Sequence, residues 1–212
     1  MKYYKFIFGI GVFCSTLMSS VAYAGAVEDP LLIRLRGIAA IPDESADIET
    51  INGDADVGSS IVPELDISYF FTENIAAELI LATTNHDVEA VDTALGDVDL
   101  GDVWLLPPTV TLQYHFSPRG SIRPYVGAGV NYTFFYEQDP GAAVSVNYDN
   151  GFGFALQAGV DVPINDDYFL NFDVKKIFLN TDVTINAGDA GVVGADVDLD
   201  PLVIGVGVGR RF

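Results

Sequence analysis

The sequence predicts an all-β protein, an eight-stranded antiparallel transmembrane up-and-down β-barrel. Three observations predict it. Bulky apolar residues alternate with small or polar ones, at a period of two, in eight separate stretches, which is the pattern of strands with two unlike faces. Short and long connections alternate between those stretches, as in a barrel with tight turns at one end and loops at the other. The non-apolar face carries few charges and many Gly, Ala, Asn, Gln and Thr residues, so it makes a poor solvated surface and a good crowded lumen.

The first strand runs from about Leu31 to Ile41, with Leu31, Ile33, Leu35, Ala39 and Ile41 on one face and Arg34 and Arg36 on the other. The second, about Ile61 to Phe71, sets Leu65, Ile67, Tyr69 and Phe71 against Glu64, Asp66 and Ser68, and Thr72-Glu73-Asn74 turns the chain. The third, about Ile75 to Asn85, sets Ala77, Leu79 and Leu81 against Glu78 with weaker alternation. The fourth, about Thr109 to Phe116, sets Val110, Leu112, Tyr114 and Phe116 against Thr111, Gln113 and His115. The fifth, about Arg123 to Glu137, is the clearest: Val126, Ala128, Val130, Tyr132, Phe134 and Tyr136 alternate with Gly127, Gly129, Asn131 and Thr133.

The sixth strand, about Phe152 to Ile164, sets Phe154, Leu156 and Val160 against Gly153, Gln157, Gly159 and Asp161, and Asn165-Asp166-Asp167 closes it. The seventh, about Tyr168 to Thr181, sets Leu170, Phe172 and Val174 against Asn171, Asp173 and Lys175, and fits poorly from Lys176 onward. The eighth lies within Val197–Phe212: Ile204, Val206 and Val208 form a greasy face opposite Gly205, Gly207 and Gly209. A bare glycine row packs badly in a soluble sheet, but it leaves room for side chains crossing a narrow lumen. Loops are expected at about 42–59 and 86–106, both acidic, through Pro140-Gly141 to Asn150, and at about 182–195, rich in Gly and Asp.

Composition decides which face meets solvent. A soluble eight-stranded barrel is apolar inside and charged outside; here the polar face lacks the Lys and Glu that a wetted surface needs. Tyr and Phe gather near strand ends, as at the two interfaces of a membrane. The apolar sides are therefore expected to face lipid. The inward charges Arg34, Arg36, Glu64, Asp66, Glu78, Asp173 and Lys175 are expected to pair with one another, because an isolated charge in so narrow a space is costly.

The first 24 residues have the form of a secretory signal: Lys2 and Lys5, an apolar core from Phe6 to Leu17 too short to span a bilayer, and Ala22-Tyr23-Ala24 as the cleavage site. The barrel domain is then 25–212. No later run is long enough for a transmembrane helix. The only cysteine, Cys14, lies in that leader, so no disulfide or thiolate metal site is expected. Two of the ten basic residues leave with it and all thirty acids stay, taking the formal charge from −20 to −22. Such acidity excludes nucleic acid as a partner.

No nucleophile–base constellation is readable, so no enzyme is expected, and no cofactor or metal. His86 and His115 have no ligand company at metal spacing. Asp54-Ala55-Asp56 and Asp97-Val98-Asp99 lack EF-hand spacing and are read as solvated loop acids. Trp104-Leu105-Leu106, ahead of Pro107-Pro108, is a greasy cluster at the barrel mouth. It reads either as the lining or gate of an apolar vestibule or as a girdle anchor.

These residues resemble the OmpW family of small outer-membrane proteins over essentially the whole mature chain. The resemblance rests on Arg34-Leu35-Arg36 leading to Pro42, Leu106-Pro107-Pro108-Thr109, Tyr114-His115-Phe116, the run Arg123 to Tyr132, and Asp200-Pro201 through Gly209 to Phe212. It implies an eight-stranded barrel in the bacterial outer membrane with a narrow lumen, apolar in its outer part. It also implies uptake of small hydrophobic molecules with sideways exit into the membrane. A final strand ending on Phe212 resembles the signal read by the outer-membrane barrel assembly machinery. The partners expected are thus outer-membrane lipids, that machinery and small hydrophobic solutes. The loops depart from the family in length and acidity, so ligand identity does not carry over. A non-transporting structural or adhesin-like barrel with acidic external loops is the second expectation.

Overall fold

The computed structural model describes residues 27–48, 53–94, 96–188 and 191–212. The leader expected at 1–24 lies outside the described residues. In chain order the strands are β1 (Leu31–Ile41), β2 (Ser45–Ile48), β3 (Asp54–Val57), β4 (Ser60–Phe70), β5 (Ile75–Ala82), β6 (Thr84–Val91) and β7 (Val98–Leu106). They continue as β8 (Thr109–His115), β9 (Arg123–Tyr136), β10 (Ser145–Tyr148), β11 (Gly151–Pro163), β12 (Tyr168–Asn186), β13 (Val192–Asp198) and β14 (Leu202–Arg211).

Eight of them close on themselves, all antiparallel, in the order β1-β4-β5-β8-β9-β11-β12-β14 and back to β1. Closure is made by β14 on β1, from Leu32 opposite Arg211 to Ile41 opposite Leu202. It removes every edge within the barrel, which lipid requires because it offers no hydrogen bonds to a free strand edge. The short turns fall after β4, β8 and β11. Asn165 Oδ1 shapes one of them by accepting from the backbone N–H groups of Asp167 and Tyr168 at 3.0 and 2.9 Å.

The faces are those the alternation implies. Val130 and Val206 are 53% and 52% exposed, whereas Asn131 is 1% exposed. Tyr69 against Phe71 and Tyr114 against Phe116 form an aromatic belt at the turn end. Tyr132 with Phe134 and Phe152, and Trp104 with Tyr136, form the other belt. Glycines on the inner face let the wall and its contents approach. A Cβ at Gly207 would lie 2.1 Å from the carbonyl oxygen of Leu35.

The expected loops are corrected: 86–106 and 182–195 are mostly strand, 42–59 holds the short strands β2 and β3, and the third loop holds only β10. β6 pairs with β7, β7 with β9 through Trp104 opposite Tyr136, β3 with β6, β13 with β12 and with β2, and β10 with β12. This is a crown standing above the barrel. Its residues still alternate, but with inverted polarity. On β3, β6 and β13 the acids Asp54, Asp56, Asp87, Glu89, Asp196 and Asp198 are exposed, while Val88, Ala90, Ala195 and Val197 are buried. Acid content masks the period, so these segments read as loops although they are soluble-type strands, apolar inside.

β12 carries the inversion within one strand. Below Lys176 it exposes Leu170, Phe172 and Val174 and buries Asn171, Asp173 and Lys175; above it buries Ile177, Leu179, Val183 and Ile185 and exposes Phe178, then Asn180 and Asp182. A membrane strand needs about 9–11 residues, and β12 has 19, so its upper half stands in water. A bulge in the β6–β7 pairing, where Gly101 takes φ +76°, resets the phase of β7. Leu100 and Val103 thus both turn inward despite their odd spacing.

Neighbouring residues test both faces. Val206→Lys should destabilise the folded barrel by about 2–4 kcal/mol, the depth-dependent cost of a lipid-facing lysine. Gly207→Val should cost at least about 1–3 kcal/mol by overpacking. Urea unfolding in lipid vesicles, followed by the gel shift between boiled and unboiled samples, reads both.

Candidate functional site

The lumen is layered. Leu32, Phe70, Ala76 and Phe169 form an apolar layer at the turn end. Above it the inward faces of β1, β4, β5, β11 and β12 deliver charged side chains to one level, because Arg34 lies opposite Asp66, and Arg36 opposite Glu64, in the β1–β4 register. Arg34 contacts Asp161 at 2.8 Å, Glu78 at 3.0 Å and Asp66 at 3.3 Å. Arg36 contacts Asp66 at 2.7 Å, Glu78 and Asp173 at 3.0 Å, and Glu64 at 3.1 Å. Lys175 lies 2.8 Å from Asp173 and 2.9 Å from Glu64. All of these side chains are buried.

Neutral groups complete the layer. Gln113 and Gln157 donate to Glu78 Oε2 at 2.7 and 2.8 Å, Tyr125 donates to Asp173 at 2.6 Å, and Asn171 donates to Asp161 at 2.7 Å. His115 sits beside Gln113 and stacks on Tyr125 at 5.0 Å. The seven charged residues expected to meet do meet here. Asp161, Tyr125, Gln113, Gln157 and Asn171 belong with them and were absent from the expected set. Gln113, Gln157, Asp161 and Asn171 are legible on the inner faces of their strands, and the same alternation places Tyr125 on the inner face with Gly127, Gly129 and Asn131.

Over this layer lies a cavity whose walls are almost wholly apolar. Ile38, Ala40, Ala82, Ile177, Leu179 and Val203 form its lower wall, and Val88, Ala90, Leu100, Val103, Leu105, Val183, Ile185, Ala195 and Val197 the crown around it. Glu64, Lys175, Thr109 and Asn131 stand at its floor. The walls leave about 1200 Å³ free of atoms, counting space open to solvent, and about 100 Å³ that the centre of a water molecule can reach. The cavity is narrow.

The vestibule residues divide. Leu105 lines the cavity, but Trp104 and Leu106 fall on the opposite side of the strand, Trp104 packing its ring on Tyr136 with centroids 6.2 Å apart. Strand alternation forbids three consecutive residues from sharing a face, so a gate made of all three is corrected to one lining residue and two outward ones. Phe212 pairs with Leu31 through two backbone hydrogen bonds of 2.7 and 2.9 Å, with its ring half exposed. Among the described residues no group of three or more His, Cys, Asp or Glu is placed to hold a metal ion.

His86 lies on β6 and lines the cavity, rather than sitting in a loop. Its Nδ1 is 2.6 Å from the Gly58 carbonyl oxygen. Burial holds its pKa below the usual 6.5, against the opposing pull of that carbonyl, Asp87 and Glu44.

A closed barrel with an apolar belt outside, a packed polar lumen and an apolar mouth defines a small transmembrane β-barrel protein of the bacterial outer membrane. The chain belongs to the OmpW family, whose model matches residues 28–212. It is 46% identical over 86% of its length to the uncharacterized outer-membrane protein y4mB of Sinorhizobium fredii, covering 80% of that protein. It is 32% identical to the dibenzothiophene metabolism operon protein PahQ of Pseudomonas aeruginosa, over 76% of this chain and 75% of that one. The crystal structure of the outer membrane protein OprG of Pseudomonas aeruginosa superposes with a TM-score of 0.80 at 30% identity, covering 86% of this chain and 95% of OprG.

Two predictions follow from this geometry. Glu78→Ala strands Arg34, Arg36 and two amides without their shared acceptor, and should cost about 3–5 kcal/mol, as removal of one partner from a buried ion pair does; urea unfolding in vesicles reads it. For His86 the folded pKa is depressed, so the unfolded chain binds the proton first. Stability should fall as pH drops through 6.5 and level off below the depressed folded value. His86→Gln should lose less stability than the parent between pH 7.5 and 5.5, measured by unfolding midpoints.

Proposed function

We propose that this protein is a passive route for small apolar solutes across the outer membrane. The observation that carries the reading is the apolar cavity lying directly on a filled, ion-paired layer. A solute drawn from outside loses its water against the crown walls, a favourable transfer of about 25 cal/mol per Å² of apolar area. It meets no continuous aqueous path below. PahQ, a relative encoded with dibenzothiophene metabolism by its name, adds support for an apolar cargo.

An axial block makes the exit sideways, and one seam in the wall suits it. Between β7 and β8 stand Pro107 and Pro108, neither of which brings an N–H group. The register runs through unchanged on both sides: Leu106 opposite Phe134 and Thr109 opposite Asn131, Leu105 opposite Thr84 and Thr109 opposite Ile80. The two missing donors leave the seam with fewer backbone bonds, although Tyr132 N–H still donates to the Pro108 carbonyl at 3.1 Å, and side chains add bonds to other carbonyls of the segment. Asn131 donates to the Pro107 carbonyl at 3.2 Å, and Thr83 to the Leu105 carbonyl at 3.1 Å. Pro107 lines the cavity, and Leu106 beside it is exposed on the outer wall.

Reconstituted into vesicles, the barrel should accelerate transfer of a neutral hydrophobic dye while single-channel recordings stay near the bare-membrane current. Leu105→Asp should cut the transfer rate about tenfold or more, since an unpaired carboxylate in an apolar wall is costly to bury. Trp104→Ala should leave the rate within about twofold, because a ring on the outer wall adds no barrier inside. Pro107→Ala with Pro108→Ala, which restores two donors to the seam, should slow release. Absence of transfer by a correctly folded barrel would favour a structural or surface-interaction role instead.

A further inference from the structure

An apolar solute held in the crown would sit between two sets of carboxylates. The set below is the polar layer, where three cations, Arg34, Arg36 and Lys175, meet five carboxylates, Glu64, Asp66, Glu78, Asp161 and Asp173. Its formal balance is therefore −2. Lys175, the one lysine or arginine lining the cavity among the described residues, is not free to meet a ligand, for Glu64 and Asp173 already hold it at 2.9 and 2.8 Å.

The set above is the outer surface of the crown. Asp54, Asp56, Glu89, Asp196 and Asp198 stand on it, exposed, one position away from residues that line the cavity. Among the described residues none of them is in a salt bridge. The sequence has no Lys or Arg between Arg36 and Arg119, between Arg123 and Lys175, or between Lys176 and Arg210. Lys176 itself is engaged by Asp43 at 2.8 Å. Charges of one sign around a cleft with low-dielectric walls focus their field into it.

Resting on the solute-carrying role above, we infer that the cavity takes apolar molecules that bear no negative charge and turns away apolar anions of the same size and shape. An anion must cross the negative rim, then give up its hydration among Val, Leu, Ile and Ala side chains. At the floor it finds a paired lysine backed by excess carboxylate. A neutral molecule feels none of these three costs, and a cationic one is helped by the first. The discrimination is electrostatic, so it weakens as the Debye length falls from about 30 Å at 0.01 M salt to about 10 Å at 0.1 M.

The test uses three fluorescent naphthalene probes, one neutral, one quaternary ammonium and one sulfonate, binding to the barrel in nanodiscs of zwitterionic lipid, with empty nanodiscs subtracted. The sulfonate should bind at least about tenfold more weakly than the neutral probe at low salt. That gap should narrow with added salt. It should narrow also in the combined variant Asp54→Asn, Asp56→Asn, Glu89→Gln, Asp196→Asn, Asp198→Asn, whose changes point away from the cavity, with the neutral probe unaffected. The boiled and unboiled gel shift checks that this variant folds. Equal affinities for sulfonate and neutral probe would overturn the inference. So would a gap that neither salt nor the rim variant moves. Failure of all three probes to bind would remove the solute-carrying role itself, a result distinct from equal binding.

Discussion

In a strand wall each side chain is committed to one side by its position, and a slip of one residue would exchange the two faces along the whole strand. A wall that passes from lipid into water therefore cannot turn its residues over; it has to change what they are. β12 does this in a single element. Hydrocarbon outside and ion pairs inside give way, past Lys176 and Phe178, to Asn180, Asp182 and Thr184 outside and Val, Ile and Leu inside. Everything above follows from the inversion: the same sheet that makes a membrane barrel below makes a water-standing, apolar-lined cup above.

The polar layer is the counterpart of that arrangement. Below the inversion the inner face has to be polar, because the apolar residues are committed to lipid, and polar side chains in so narrow a space must satisfy one another. They do so through Glu78, which accepts from Arg34, Arg36, Gln113, Gln157 and Thr111. Charge pairing of this kind adds little net stability over an apolar core of the same shape. It does tie side chains of β1, β4, β5, β11 and β12 together across the lumen, so the cup above stands on a buried, hydrogen-bonded floor. In the wall of that cup stands the proline pair Pro107-Pro108, which brings no N–H group to the ladder.

Much of this was legible in residue order. The eight barrel strands, their faces and the charged residues that meet in the lumen all follow from period-two alternation, as with Arg34 and Arg36 opposite Asp66 and Glu64. The crown was not legible because the reading took acidity as the mark of a loop, although Asp54-Ala55-Asp56-Val57 alternates as cleanly as any membrane strand. The poor fit past Lys176 was the trace of the inversion. Trp104-Leu105-Leu106 divides between its two expected readings, because adjacent residues on a strand cannot share a face: Leu105 lines the cavity and Trp104 joins the belt. The bulge at Gly101 depends on a local φ that no periodic pattern reveals, and the alternation that turns Tyr125 inward does not say that its hydroxyl donates to Asp173.

The central claim is the change of surroundings along β12. With Cys14, the only cysteine, placed in the expected leader, single cysteines carrying nitroxide labels can be set at Phe172, Val174, Asn180 and Asp182 in bilayers. Collision with oxygen and with a water-soluble nickel reagent then reports the medium at each. Oxygen should dominate at Phe172 and Val174, and the nickel reagent at Asn180 and Asp182, with the crossover near Lys176. Oxygen dominance continuing through Asp182, or nickel access at Phe172, would contradict the account.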